Sequence, residues 1–291
     1  HGPAGEGKTL ADTEKTPGVI TPPDETAAKK ARRQTVPTHT GFEDMDISDE
    51  VLRAISRMGF TETTAIQKQT IPLIMQGNDI IGIAPTGTGK TCAFGIPMLE
   101  YMNLKDARIQ ELVLAPTREL AMQIGEELQK LAYYIKEVKI AVLYGGQPIA
   151  RQLDQLKKHP QIIVATPGRM LDMLERGAVH LDAVHTLVLD EADEMLNMGF
   201  VKDVCRIIEK TPITRQFVMF SATTNQDVMT ISWKYQHDPV QITIAATKEN
   251  RPQIKQYTIP VTTRDDKYEK LLYILDSDQY GRIMIFTNMK Y

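Results

Sequence analysis

The sequence predicts an α/β fold: a doubly wound parallel sheet with helices on both faces, followed by the beginning of a second α/β unit. Three observations predict it. Short apolar runs alternate with amphipathic stretches, the runs are continuous in hydrophobicity, and the pattern lapses once into polar sequence before resuming. Continuously apolar strands have both faces covered, and strands separated by helices join through right-handed crossovers into a parallel sheet.

Residues 1–40 carry Pro17, Pro22, Pro23 and Pro37 among Gly, Thr and scattered charges, with no periodicity long enough to bury a face. They read as a disordered arm whose basic cluster Lys29, Lys30, Arg32 and Arg33 is a solvated charge run. Residues 41–245 form the first domain. Its strands are expected at Asp79–Ala84, Glu111–Ala115, Lys139–Leu143, Gln161–Ala165, Val184–Leu189, Gln216–Phe220 and Val240–Ile244, with helical patterns in most gaps. Residues 246–253 are polar, contain one proline and read as a linker. Residues 254–291 open a second domain with strand Gln256–Val261, helix Asp266–Leu275 and strand Arg282–Phe286. The chain opens on His1 rather than Met and is read as an incomplete core.

Composition narrows the function classes. A net charge of -3 excludes nucleic-acid binding through bulk positive charge and leaves local contacts. The two cysteines, Cys92 and Cys205, stand in no metal-binding spacing, which argues against a disulfide framework or a zinc site and fits a reducing, cytoplasmic setting. No run of about 18 apolar residues and no export signal is present, so no membrane partner is expected. His180 and His185 lack ligand spacing, and Met170, Met173, Met195 and Met198 at helical spacing are expected in the core.

Two segments match the phosphate-loop pattern. Gly2–Thr9 (GPAGEGKT) fits the strict expression better but has no strand before it, and Pro17 would cut short any helix after it. Ala84, Pro85, Thr86, Gly87, Thr88, Gly89, Lys90 and Thr91 follow an apolar strand and lead into the helical stretch Cys92–Met102. A strand, a glycine-rich loop and a helix N-terminus together make an anion site, so this copy is chosen. Gly87 and Gly89 let backbone amides close on phosphates, Lys90 places a positive charge at the β/γ oxygens, and the Thr91 hydroxyl can ligate Mg²⁺. A nucleotide hydrolase also needs a carboxylate at a neighbouring strand end for the Mg²⁺ shell and a second one for water. Asp190 and Glu191, after the apolar run ending at Leu189, supply both, although acidic residues also favour a helix's first turn.

Asp190-Glu191-Ala192-Asp193 spells DEAD, and the chain resembles the DEAD-box ATP-dependent RNA helicases, built on two RecA-like domains. Phe42 with Gly59–Gln67 resembles the adenine-reading Q motif, Ala84–Thr91 motif I, Pro116–Ala121 motif Ia, and Gly145-Gly146 the GG element. Thr166–Arg169 resembles motif Ib, Asp190–Asp193 motif II, Ser221-Ala222-Thr223 motif III, and Arg282–Asn288 the start of motif IV. One departure is visible: Thr63-Thr64-Ala65-Ile66-Gln67 stands where the family has Pro-Thr-Pro-Ile-Gln, which is expected to loosen that turn.

The resemblance implies roles. Phe42 would stack on adenine and the Gln67 amide would read its edge, so ATP with Mg²⁺ is the expected nucleotide. Lys90, Asp190 and Glu191 would carry catalysis, with Thr91 and Asp190 holding the metal partly through water. Pro116, Thr117, Arg118, Gly145, Gly146, Thr166, Pro167, Gly168 and Arg169 would contact the RNA backbone without reading sequence. Asp193, Ser221, Ala222 and Thr223 would couple the γ-phosphate to domain closure. The expected function is ATP-dependent RNA remodelling or unwinding. The alternative is an ATP-regulated RNA clamp or scaffold, and a DNA translocase is disfavoured by the DEAD spelling and the Q motif. No segment of these residues resembles the arginine-finger sequence HRxGRxxR, so little turnover is expected of this chain alone.

Overall fold

The computed structural model describes residues 41–245, 255, 257–276 and 281–286. The arm, its phosphate-loop pattern, its basic cluster and nearly all of the expected linker lie outside the described residues. The chain separates into two compact units, dividing after Ala246.

The first unit opens with helices α1 (Asp49–Arg57) and α2 (Ala65–Met75). Strands and helices then alternate: β1 (Ile80–Ile83), α3 (Lys90–Glu100), β2 (Glu111–Leu114), α4 (Arg118–Leu131), β3 (Ile140–Leu143), α5 (Ile149–Leu156), β4 (Ile162–Ala165) and α6 (Pro167–Glu175). After them come β5 (Thr186–Leu189), α7 (Ala192–Asn197), α8 (Val201–Ile208), β6 (Gln216–Ser221), α9 (Gln226–Tyr235) and β7 (Val240–Thr243). All seven expected strands form, and they pair in parallel in the order β3-β4-β2-β5-β6-β1-β7.

Side chains on a strand alternate between faces, and here both faces are dry. Val113, Val164, Val188, Val218 and Phe220 pack on one side with helices α2 to α4, while Leu112, Leu114, Ile163, Leu187, Leu189 and Met219 pack on the other with α6 to α9. The outermost strands depart from the continuous pattern: β7 buries only Ile242, and β3 alternates buried with half-buried residues. Met170, Met173 and Met195 are fully buried, but Met198 caps the C-terminus of α7 and is exposed, against expectation. Gly82 in β1 answers a close approach, since a Cβ there would fall 2.4 Å from the Phe220 ring.

The register sets the site. Ile83 stands opposite Ser221, Leu189 opposite Leu114 and Met219, and Ala165 opposite Leu114 and Leu143. The loops that leave the carboxyl ends of the strands are thereby gathered along one edge, where open α/β sheets bind ligands.

In the second unit, helix α10 (Arg264–Leu275) is capped by Thr263, whose hydroxyl accepts from the Asp266 N–H at 3.1 Å. The strands expected at Gln256–Val261 and Arg282–Phe286 are a correction: the described residues of both stretches enter no ladder and are exposed. Apolar sequence alone does not make a strand, which needs a neighbour to take its backbone hydrogen bonds.

Candidate functional site

The loop after β1 holds its shape through two residues in the left-handed region, Gly87 at φ +76° and Gly89 at φ +85°. Thr88 Oγ1 donates to the Pro85 carbonyl at 2.9 Å, and Gly89 caps α3, which therefore starts at Lys90 rather than at the expected Cys92. The Gly89 carbonyl accepts from Ala93 N–H and from Gln67 Nε2, the latter at 3.0 Å. A side chain at position 89 would collide with that amide, its Cβ lying 2.4 Å from Nε2.

Gln67 is also held from its own helix. The Thr64 hydroxyl accepts from the Gln67 N–H, and the Gln67 Oε1 accepts from the Thr64 N–H at 3.0 Å, a reciprocal capping box. The turn expected to be loose without its prolines is closed by these bonds. An amide carries two donors and two acceptor lone pairs, so Gln67 keeps one of each for a ligand. Phe42 is buried in the core beside Met45 and Ile47, and in this arrangement its ring is a packing group. Its segment is tied to the end of α3, where Glu100 Oε1 accepts from both the N–H and the hydroxyl of Ser48, at 3.0 and 2.7 Å.

Lys90 and Asp190 meet where β1 and β5 end. Their charged atoms lie 3.7 Å apart with both side chains almost wholly buried, and Lys90 Nζ has no hydrogen-bond partner among the described residues. Burial pushes the Asp190 carboxyl up, against the Lys90 charge and the Glu191 N–H, which donates to its Oδ1 at 3.0 Å. Glu191 stands at the N-terminus of α7 with φ +50°, and its carboxylate makes no capping bond. The helix-capping role open to it in the sequence is not the one it takes. Burial first, and the neighbouring Asp190 second, push its carboxyl up.

Asp193 faces the end of β6. It accepts from Thr223 Oγ1 at 2.8 Å and from Ala222 N–H at 3.4 Å, while Ser221 Oγ donates to the Thr223 carbonyl. Burial raises the Asp193 carboxyl, but the bonds from Thr223 and Ala222, with the nearby Ser221 hydroxyl, outweigh it and hold it below the ordinary range.

On the other half of the edge, motifs Ia, GG and Ib follow β2, β3 and β4. Pro116 and Pro167 are buried, so their rings serve packing and the start of α6, and the Thr117 hydroxyl caps α4 by accepting from the Leu120 N–H, which leaves its own proton to donate. Thr166 caps α6 without a side-chain bond and is half-buried. Arg118, Gly145, Gly146 and Gly168 are exposed, and Arg118 lines a groove of about 660 Å³ with Tyr144, Gly146, Gln147 and Arg151. The Arg169 guanidinium is turned inward onto the Gln147 carbonyl, at 3.3 and 3.4 Å, and sits near Asp172. Sequence reasoning missed Gln152, Ser48 and Glu100, which bind across loops and carry no motif.

A phosphate loop on β1, an acidic pair on β5 and hydroxyl residues on β6 define a nucleotide-binding domain of the RecA-like, doubly wound class. The DEAD/DEAH box helicase family matches residues 64–231, more than half of the sequence, and the chain belongs to that family. It is 47% identical over 251 residues to the DEAD-box ATP-dependent RNA helicase CshA of Geobacillus kaustophilus, with 86% of this chain and 53% of that protein covered. With the ATP-dependent RNA helicase CshA of Listeria monocytogenes it shares 44% identity over 86% of its length and 48% of the relative's. It thus spans about half the length of these relatives. Among solved structures it resembles a DEAD box protein from the hyperthermophile Methanococcus jannaschii, at TM-score 0.68 and 36% identity, over 83% of this chain and 65% of that one. A hypothetical ATP-dependent RNA helicase from Sulfolobus tokodaii matches at TM-score 0.63 and 34% identity, over 68% and 57%. Among the described residues, no helix is long and apolar enough to cross a membrane.

Proposed function

We propose that this chain is the ATP-binding part of an ATP-dependent RNA helicase, which binds Mg-ATP at the Ala84–Thr91 loop and RNA backbone along the β3-β4-β2 edge. The observation that supports the nucleotide reading best is the Lys90 ammonium: buried, beside Asp190, with no hydrogen-bond partner among the described residues. A buried charge without hydrogen bonds is unfavourable, and phosphate oxygens are the acceptors that this loop can bring to it. The loop amides and the N-terminus of α3 add further donors for anionic oxygen.

Thr91 and Asp190 are the residues that would hold Mg²⁺, which, when bound, neutralises charge on the phosphates. Among the described residues no group of three or more His, Cys, Asp or Glu converges. Magnesium shared with phosphates needs only one or two protein ligands. Glu191, unspent on its helix and raised by burial, orients and deprotonates the attacking water. Gln67 reads adenine with its remaining donor and acceptor, and Phe42 must leave its packed position to stack on the base. Asp193, Ser221, Ala222 and Thr223 link motif II to the end of β6 and carry the γ-phosphate state toward the second unit. Arg118, the exposed glycines and the loop amides hold RNA phosphates and sugars without reading bases.

Phosphate release at saturating ATP tests this, with and without single-stranded RNA, for this chain and Glu191→Gln. This chain is expected to bind nucleotide and turn over near background, because it has no arginine-finger sequence. Robust RNA-stimulated turnover lost in Glu191→Gln would overturn the two-domain mechanism. An ATP-regulated RNA clamp remains the reading if a version with the arginine-finger segment also fails to turn over.

A further inference from the structure

The loop from Tyr144 to Pro148 joins β3 to α5 and contains two adjacent glycines, with Gly146 at φ +85°. Glycine confers freedom rather than shape, so such a loop must be held by something else. Gln152, on α5, is fully buried and spends both amide protons on it: Nε2 donates to the Tyr144 carbonyl at 2.9 Å and to Gln147 Oε1 at 3.0 Å. Carbonyl oxygens only accept, so the orientation of the Gln152 amide is settled by its partners. Its own Oε1 is buried with no partner among the described residues, an unfavourable arrangement that a methionine of similar length would avoid. What an apolar residue could not supply at this position is the pair of donors.

The loop is gripped from a second side, where the Arg169 guanidinium donates to the Gln147 carbonyl. Between these anchors Gly146 lies against Arg118, for a Cβ added there would stand 3.6 Å from Nη1. Arg151, the residue before Gln152, is exposed and lines the same groove. Helix α5 therefore turns two donors inward to the loop and a cation outward into the groove that Arg118 lines.

We infer that Gln152 is the positioning residue for RNA backbone binding, fixing the Gly145-Gly146 loop against Arg118 in the groove that Arg151 also lines. The inference rests on reading this face as RNA-binding. Gln152 touches no RNA itself, which separates its effect from that of a cation. Removing a phosphate contact lowers the slope of log affinity against log salt by about one, whereas disordering the loop weakens binding and leaves the number of cations unchanged.

The test measures binding of a short labelled oligouridine across a salt series, with amide hydrogen exchange at Gly145–Gln147, for wild type, Gln152→Met and Arg151→Ala. Gln152→Met is expected to keep the wild-type melting temperature to within a few degrees and its ADP-induced rise. It should speed exchange in the loop and weaken RNA binding about tenfold at unchanged salt slope. Arg151→Ala should lower the slope by about one with loop exchange unaltered. Wild-type RNA affinity in Gln152→Met overturns the inference, as does a lowered salt slope there. Should Gln152→Met fail to fold, Gln147→Ala removes one acceptor from the exposed side. It should speed loop exchange and weaken RNA binding several-fold, and no change in either overturns the inference. A wild-type chain that binds no RNA at low salt sinks the reading of the face and the inference with it, whereas equal binding by wild type and Gln152→Met sinks the inference alone.

Discussion

Along the carboxyl edge of the sheet, the β5-β6-β1 half buries Lys90, Asp190 and Asp193, whereas the β3-β4-β2 half exposes Arg118 and Arg151 and turns Arg169 inward. Lys90, Asp190, Asp193 and Ser221 are each less than a tenth exposed, and their partners are fixed by strand register. Arg118 is more than half exposed and, among the described residues, its ion pair is with its sequence neighbour Glu119. Around it stand Gly146, the half-buried Tyr144 and Gln147, and the exposed Met122, Gln123, Glu126 and Arg151. Loss of a partner in the first half leaves a charge with no water to replace it; in the second, solvent takes over at little cost. On the proposed reading, nucleotide binding in the first half is concentrated in a few side chains, and RNA binding in the second is spread over many weak contacts.

The largest expected effect is therefore at Lys90. Lys90→Met should abolish the rise in melting temperature that ADP produces, and Lys8→Met, in the arm, should leave it intact. The same substitution removes the charge that holds Asp190 down, so that carboxyl rises further. A carboxyl whose native pKa lies above its unfolded value stabilises fully below the unfolded value and loses this as pH rises through the native one. The stability deficit of Lys90→Met should then grow as pH rises above the ordinary carboxylate range, toward about 3 kcal/mol. A deficit independent of pH, measured by urea denaturation, would mean that the two groups do not interact.

Thr223→Val should have an intermediate effect. It removes the 2.8 Å bond to Asp193, one of the contacts that hold that carboxyl below its ordinary range. A depressed carboxyl contributes stability above its unfolded pKa and loses it as pH falls through the native value. The expected deficit is about 1 kcal/mol at neutral pH, shrinking toward pH 3. An undiminished deficit in acid would show that Thr223 acts by packing.

The smallest effect belongs to Arg118. Arg118→Ala should alter stability by less than about 0.5 kcal/mol while lowering the salt slope of RNA binding by about one. A larger loss of stability would erase the contrast between the two halves.

The fold was legible because the inner strands are apolar on both faces and each is followed by a helical pattern. β7 and β3, at the ends of the strand order, depart from that rule because only one of their faces is fully covered. The choice of the Ala84–Thr91 loop came from its preceding strand, and β1 delivers it directly to the N-terminus of α3. Residue contacts were less legible. The capping box at Thr64 required no proline, yet the missing prolines suggested a loose turn. Phe42 reads as a ligand group in the motif and packs in the core here. Gln152 looks like any polar residue on a surface helix, and only the fold reveals that its amide spans a loop. Glu111 is likewise an acidic residue opening a strand in the sequence, but it is fully buried 3.3 Å from His185, and burial drives its carboxyl well up.

Glu191 sits in the left-handed backbone region, a conformation that costs a residue with a Cβ about 1 kcal/mol and glycine almost nothing. A Glu191→Gly chain would therefore relieve backbone strain at the moment it discarded the carboxylate proposed to act on the attacking water. Selection for thermal endurance alone would drift toward that glycine. This corner of the protein thus sets durability against chemistry, and an engineer who hardened it by consensus or by stability screening would have to hold position 191 fixed.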